Sequence, residues 1–177
     1  VNQTFTKQSL LASIFFFFVL SSWYVLRPVR NEMAVSNVDN LPLLLAIGAI
    51  AMLLVNPIYS WAASKTNLRK LLTYCYLFFI SNLLMFLFAW RVLDLEGMVW
   101  LGRAFYIWCN IYSFFVVSIF WVVIINVFRS SKTRNFYGVI MAGGSIGAFV
   151  GSEISKRFST SFNDYGLEFF SISAIIL

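Results

Sequence analysis

Long apolar runs alternate with short charged segments along the chain. Five stretches without any charged residue lie between successive charges, and they are 19, 25, 20, 25 and 18 residues long. At about 1.5 Å per residue, each stretch can cross the roughly 30 Å hydrocarbon core of a bilayer as a helix. The pattern predicts five transmembrane helices, over residues 8–27, 41–63, 71–90, 98–128 and 135–154.

The chain ends within a sixth apolar run. Only 9 residues follow Glu168 before Leu177, and nine helical residues rise about 14 Å, which is too little to cross. We predict an incomplete sixth span over 167–177. The expected fold is an all-α, polytopic membrane helix bundle of five complete helices plus a truncated sixth, with residues 1–177 in a single transmembrane domain because no loop is long enough for a soluble one.

Composition excludes several functional classes. Only 11% of the 177 residues are charged and 60% are hydrophobic, whereas a soluble domain has about 25% charged residues. The chain has no His, and its two cysteines, Cys75 and Cys109, lie in separate apolar runs. These absences argue against metal sites and against Ser-His-Asp or Cys-His catalysis. We therefore expect no enzyme activity, no catalytic residue, no metal and no cofactor.

The charges predict how the chain is oriented. The net charge of +6 fits the interhelical loops of a membrane protein better than nucleic-acid binding. With alternating spans, the side of Lys7 holds 7 cations and no acid, and the other side holds 6 cations and all seven acids. The positive-inside rule then places the N-terminus in the cytoplasm. The interfaces carry tryptophans that are interpreted as anchors: Trp23, Trp61, Trp90 and Trp100.

Small residues recur every four positions in the fifth predicted span. They form two adjacent rows, which are Gly143, Gly147 and Gly151, and Gly144, Ala148 and Ser152. Small residues at this spacing allow a second helix to approach closely, since lipid supplies no hydrophobic drive for helix association. We interpret these rows as a helix-packing surface.

Two arginines lie at the end of the first predicted span. Arg27 and Arg30 share one helical face if the helix continues through Pro28, and guanidinium groups suit phosphate or carboxylate. Arginines beside a membrane can also extend to lipid headgroups. Both readings remain open at this point.

The fourth predicted span has one polar stripe. At 100° per residue, Arg103, Tyr106, Asn110 and Ser113 fall on a single helical face. An ionisable residue near a span is a functional candidate by default, so the stripe could help line a cationic cavity. Asn126, nearer the other end of the span, either bonds a neighbouring helix or faces a polar pathway.

Two sequence blocks resemble a known family. Arg-Pro-Val-Arg-Asn-Glu-Met-Ala at 27–34 resembles the Arg-Pro-Val-Arg-Asp-Glu-Met signature of bacterial major facilitator proteins related to the ATP/ADP translocases, with Asn31 in place of Asp. Phe-Trp-Val-Val-Ile-Ile-Asn at 120–126, Arg-Asn-Phe-Tyr at 134–137 and Gly-Gly-Ser-Ile-Gly-Ala at 143–148 resemble the same family's span-four to span-five region. The resemblance covers essentially the whole chain, as the first half of a twelve-span transporter.

The resemblance implies a secondary active transporter of a bacterial inner membrane. Arg30 matches a cation that contacts substrate phosphate, and Asn126 matches a site residue of span four. The expected function is the N-terminal half of a transporter or exchanger for a nucleotide-like, phosphate or carboxylate solute. The expected substrate-binding residues are Arg27, Arg30, Arg103, Asn110 and Asn126.

Six helices alone cannot supply the two opposed bundles of alternating access. The expected partners are therefore the lipid bilayer, a small anionic solute, and a C-terminal half, a second copy or another membrane subunit; no nucleic acid is expected. The alternative function is a non-transporting structural or assembly subunit of a larger membrane complex.

Overall fold

The structure, a computed structural model, describes residues 2–35, 41–92, 95–128, 137–159, 172–173 and 175–177. Within this part of the chain there are five helices, namely α1 (Asn2–Val35), α2 (Leu41–Lys65), α3 (Leu68–Val92), α4 (Leu95–Val127) and α5 (Tyr137–Ser159). Four of them, α1, α3, α4 and α5, contain apolar stretches long enough to cross a membrane. The chain is therefore an all-α, polytopic membrane protein.

The structure supports four long apolar spans among the described residues, rather than the expected five complete spans and a partial sixth. Helix α2 covers most of its predicted span, but its apolar part, Leu41–Pro57, is shorter than in the other helices. Asn56, Ser60 and Lys65 make the second half of α2 more polar than the first. Of the predicted sixth span, 167–171 and 174 lie outside the described residues. The described remainder ends in a helical turn, in which the Leu177 amide donates to the Ser173 carbonyl at 3.0 Å.

Helix α1 is longer than the predicted first span. It continues through Pro28 to Val35, so both arginines of the signature lie inside a helix. A proline is tolerated in a membrane helix when neighbouring helices and polar side chains satisfy the freed backbone groups. The other boundaries shift by a few residues, and 135–136 of the predicted fifth span lie outside the described part of the chain.

Helices α1 and α4 are antiparallel. Phe16 stacks on Phe120 with ring centroids 4.2 Å apart, whereas Arg30, farther along α1, meets Asn110, which comes earlier in α4. A pairing in which later residues of one helix meet earlier residues of the other requires opposite directions.

Helices α3 and α4 are antiparallel as well. Phe79 contacts Tyr112 edge-on at 5.3 Å between centroids, and Phe86 contacts Phe105 in the same way at 5.3 Å. Edge-to-face rings of this kind contribute about 0.5–1.5 kcal/mol beyond their area burial. Aromatic side chains therefore hold α3 along α4.

Helix α2 runs parallel to α4. Leu44 shares a cavity with Arg103, and Gly48, one turn later, lies beside Asn110. Later residues of α2 therefore meet later residues of α4. Helix α4 contacts α1, α2 and α3, and it contributes many of the most buried side chains, which include Phe105, Cys109, Tyr112, Ile119 and Phe120.

Helix α5 packs lengthwise on α1, and the two helices are parallel. Gly143 lies against Ser13, Gly147 against Phe17 and Gly151 against Ser21, at a constant offset of 130 positions. A Cβ on any of these glycines would stand within about 3.0 Å of α1 backbone atoms. The close approach of α5 to α1 therefore requires glycine at this row.

Candidate functional site

The guanidinium of Arg30 lies partly buried between α1 and α4. Its Nη1 donates to Asn110 Oδ1 at 3.1 Å, and its Nη2 donates to Asn31 Oδ1 at 3.0 Å. Its Cζ is 5.4 Å from the centroid of the Trp23 ring, within the range of a cation–π interaction. The buried Nε has no hydrogen-bond partner among the described residues. Two of the five N–H donors of the guanidinium are thus used in these bonds, and the others can serve a further acceptor.

This group joins the end of one apolar stretch to the inside of another. Arg30 is two residues before the end of the stretch Lys7–Glu32 of α1, whereas Asn110 is 11 residues inside the stretch Val99–Val127 of α4, about 16 Å along that helix. Asn110 is also level with Gly48, seven residues, or about 10 Å, from the start of α2. An ionisable side chain that bonds a neighbouring span at this depth is a functional candidate by default.

Among the described residues, no carboxylate forms an ion pair with Arg30. In the described part of the chain, the single ion pair joins Arg157 to Glu153 at 3.4 Å on an exposed face of α5. Arg30 is thus held by two side-chain amides and an indole ring. A carboxylate or phosphate oxygen carries the negative charge that an amide oxygen lacks, so an anion would be the preferred partner of this guanidinium.

Arg27 faces a different neighbour. Its side chain is exposed, its Cζ lies 5.4 Å from the Tyr24 ring centroid, and it lines a cavity of about 460 Å³ between α1 and α5. Asn31, Glu32, Ser152 and Lys156 share that cavity. Although Arg27 and Arg30 are three residues apart, the structure directs one toward α5 and the other toward α4.

The polar stripe of α4 does not form a single site, because Arg103 and Asn110 have different neighbours. Arg103 lies over Trp100, with its Cζ 4.7 Å from the ring centroid, and lines a cavity of about 310 Å³ with Leu44 and other residues of α2 and α4. Ser113 donates to the Asn110 carbonyl at 2.8 Å within α4. Asn110 is therefore the stripe residue that the structure joins to Arg30.

Asn126 lies far from this group. It is exposed, and its Nδ2 donates to the Val122 carbonyl at 2.7 Å within its own helix. The 16 residues between Asn110 and Asn126 separate them by about 24 Å along α4. The structure does not bring Asn126 to the other four candidates.

The small-residue rows of α5 form the seam with α1. In addition to the three close glycines, Gly144 faces the Phe16 ring, and Ala148 is half-buried. Serines of α1 bond the α5 backbone across the seam, where Ser13 Oγ donates to the Val139 carbonyl at 3.0 Å and Ser21 Oγ to the Gly147 carbonyl at 2.9 Å. This seam fixes the position of α1 against α5, and Arg30 lies on another side of α1, toward α4.

Sequence reasoning missed two features. It interpreted Trp23 as an interface anchor, but this residue packs beneath Arg30. The signal was available, because Trp23 precedes Arg30 by seven residues on one face and long helical side chains point toward the helix N-terminus. It also missed a buried hydroxyl cluster, Ser22, Tyr112 and Ser173, which joins α1, α4 and the chain end and has no sequence signature.

No metal-ligand set is present among the described residues, since no three His, Cys, Asp or Glu side chains lie close enough to hold an ion. Comparisons with protein families, with curated proteins and with solved structures give no match. The helices define the class, a polytopic helical membrane protein, and the most distinctive polar group of its interior is the Arg30–Asn110 pair.

Proposed function

We propose that the chain forms one helical bundle of a secondary transporter for a small anionic solute, with Arg30 as the principal contact. The observation that carries this proposal is a partly buried guanidinium between α1 and α4 that is oriented by Asn110, Asn31 and Trp23. A planar guanidinium matches phosphate and carboxylate geometry. The resemblance to nucleotide-translocating major facilitator proteins supports the same assignment.

Solute binding would change the contact between α1 and α4. An anion oxygen is a stronger acceptor than the Asn110 amide, so bound solute competes for Nη1 and weakens the bond that joins the two helices. Rocking against a second bundle then exposes the site alternately to each side. That second bundle is a C-terminal half, a second copy or another membrane subunit.

The proposal is tested by thermal unfolding of the purified full chain with phosphate, succinate and ADP as separate probes. Saturation by a bound probe at 100 times its Kd stabilises the folded state by about 2.7 kcal/mol. We expect at least one probe to raise the Tm of the wild type, and Arg30→Gln to abolish that rise. Arg91→Gln, which removes an exposed cation at the end of α3, is the matched control.

Two outcomes would contradict the anion site. The first is a Tm that none of the three probes changes. The second is an Arg30→Gln variant that is folded and responds to the probe as the wild type does. Where binding is found, uptake of the same probe into proteoliposomes containing the complete transporter assembly tests transport itself.

A second candidate function is a structural or assembly subunit. In its favour, α2 and α3 expose broad apolar faces, with Leu53 74% and Phe88 69% exposed, which lipid or another membrane protein must cover. This function predicts purification in mild detergent with a defined subunit at fixed stoichiometry and no Tm response to anions. A transporter should instead show a Tm that rises with a bound anion.

A further inference from the structure

An apolar groove separates α2 from α3. Both helices pack on α4 but contact each other little, and the space between them is a cavity of about 430 Å³, within the range of small-ligand sites. No charged side chain lines it. Its lining includes Val55, Leu71, Cys75, Phe79, Trp108 and Phe115.

The groove opens sideways toward the bilayer. Tyr74 and Phe78 line it and are 65% and 58% exposed, whereas Phe79, next in the chain, is 4% exposed and faces the core. One edge of the groove therefore lies on the lipid-facing side of α3. An occupant can enter it from the hydrocarbon layer without crossing water.

One end of the groove carries a cluster of positive charge. Thr66 and Leu71 line this end, and their chain neighbours Lys65, Arg69 and Lys70 are all exposed. The Lys65 Nζ lies 4.9 Å from the Trp61 ring centroid at the end of α2. Residues 41–92 contain no Asp or Glu, so no acid of α2 or α3 offsets these cations.

The shape and charge of the groove suit a lipid. Leu71 and Phe79 are eight residues apart on α3, so the groove extends about 12 Å. Its apolar lining and its opening to the hydrocarbon layer suit an acyl chain, and the uncompensated cations at its end suit an anionic headgroup.

We propose that this groove binds an anionic phospholipid. One acyl chain lies along Cys75 and Trp108, and the lipid phosphate is bound by the cluster of Lys65, Arg69 and Lys70. Basic pockets at the membrane-surface ends of helices recognise anionic headgroups in this way. The site does not involve Arg30 and does not depend on the transport proposal.

Trp108 provides the measurement, since bromine on an acyl chain quenches the fluorescence of a nearby tryptophan. The full chain is reconstituted in phosphatidylcholine vesicles containing a small fraction of brominated phosphatidylglycerol or of brominated phosphatidylcholine. We expect stronger quenching by the anionic lipid. Because Trp61 lies beside Lys65, the comparison is made in a Trp61→Phe background, in which Trp108→Phe should remove this difference.

Substitutions separate the two parts of the site. Each of Lys65→Gln, Arg69→Gln and Lys70→Gln should lower the preference for the anionic lipid about fivefold, the equivalent of about 1 kcal/mol per surface cation. Arg91→Gln, at the other end of α3, should leave it unchanged. Cys75→Phe fills the groove and should protect Trp108 from both lipids, whereas Leu77→Phe, on the exposed face of α3, should not.

Equal quenching of wild-type Trp108 by both brominated lipids would overturn the proposal. So would an unchanged preference in the triple Lys65→Gln, Arg69→Gln, Lys70→Gln variant when circular dichroism shows that its helices are intact. Quenching of Trp108 by neither lipid, together with a dimer by light scattering, would assign the groove to a second copy instead.

Discussion

At the scale of single residues, three buried hydroxyls, those of Ser22, Tyr112 and Ser173, form hydrogen bonds with one another. The Ser22 and Tyr112 hydroxyl oxygens are 2.6 Å apart, and Ser22 Oγ also bonds the hydroxyl and the carbonyl of Ser173, at 2.7 and 3.0 Å. All three side chains are fully buried. Without water in the hydrocarbon core, such groups must find partners inside the protein, so this cluster specifies where the chain end packs.

Ser22→Ala should therefore cost more stability than Tyr112→Phe. The first change removes three hydrogen bonds and should lower the free energy of unfolding by about 1–3 kcal/mol, and the second removes one, costing about 0.5–1.5 kcal/mol. Ser81→Ala, which removes an exposed bond within α3, should stay within about 0.5 kcal/mol. Unfolding in mixed micelles measures all three variants. A Tyr112→Phe cost above that of Ser22→Ala would contradict this order.

Asn110 allows a residue-scale test of the proposed anion site. Asn110→Asp places a carboxylate where the amide oxygen meets Arg30, and we expect this internal anion to exclude solute and to abolish any Tm rise with phosphate, succinate or ADP. Asn110→Leu removes the acceptor, leaves Nη1 unpaired and should destabilise the fold by about 1–3 kcal/mol. A full anion response in Asn110→Asp would show that solute binds elsewhere.

At the scale of elements, the α1–α5 seam depends on the absence of side chains. The glycine row of α5 faces α1 backbone at positions four residues apart, and two α1 serines donate to the Val139 and Gly147 carbonyls of α5. Membrane helices associate through close packing and such bonds because lipid provides no hydrophobic drive. The seam is thus a parallel small-residue contact between the first and fifth helices.

Gly147→Ala and Gly138→Ala should have opposite effects on stability. A Cβ at Gly147 meets the Phe17 backbone, whereas a Cβ at Gly138 meets nothing within 4 Å. Overpacking at the first should cost about 1–3 kcal/mol or more, and the second should gain up to about 1 kcal/mol of helix propensity. Unfolding in micelles compares them, and equal effects would show that α1 and α5 are farther apart.

The sequence predicted most helices but not all of their limits. Charge-free runs located α3 and α4 to within a few residues, because a membrane span needs uninterrupted apolar length. They placed the end of the first span at Arg27, the charge that closes the run, although α1 continues to Val35, because a charge ends an apolar run without ending the helix.

At the scale of the whole molecule, the site depends on how the helices are arranged. The sequence identified the cations and amides, and the structure joins Arg30 to Asn110 while Arg27, Arg103 and Asn126 lie elsewhere. Which cation meets which amide depends on the axial level and rotation of each helix, and these follow from tertiary packing such as the α5 glycine row. No local pattern contains that information.

Because α2 runs parallel to α4, we predict that α2 crosses the membrane despite its short apolar part. It lies lengthwise beside α4, from the level of Arg103 to that of Phe115, and 17 apolar residues span about 26 Å, at the lower limit for crossing. Single cysteines can test this in a chain whose Cys75 and Cys109 are replaced by Ala. Pro42→Cys and Asn67→Cys lie at exposed positions at the two ends of α2.

In sealed vesicles of one orientation, a membrane-impermeant maleimide should label Asn67→Cys from one side, and Pro42→Cys and Arg91→Cys from the other. The three cations around Asn67 should place it on the cytoplasmic side. Labelling of Pro42→Cys and Asn67→Cys from the same side would show that α2 does not cross. In that case α1 and α3 could not run parallel through the bilayer, and the groove between α2 and α3 would not lie in lipid.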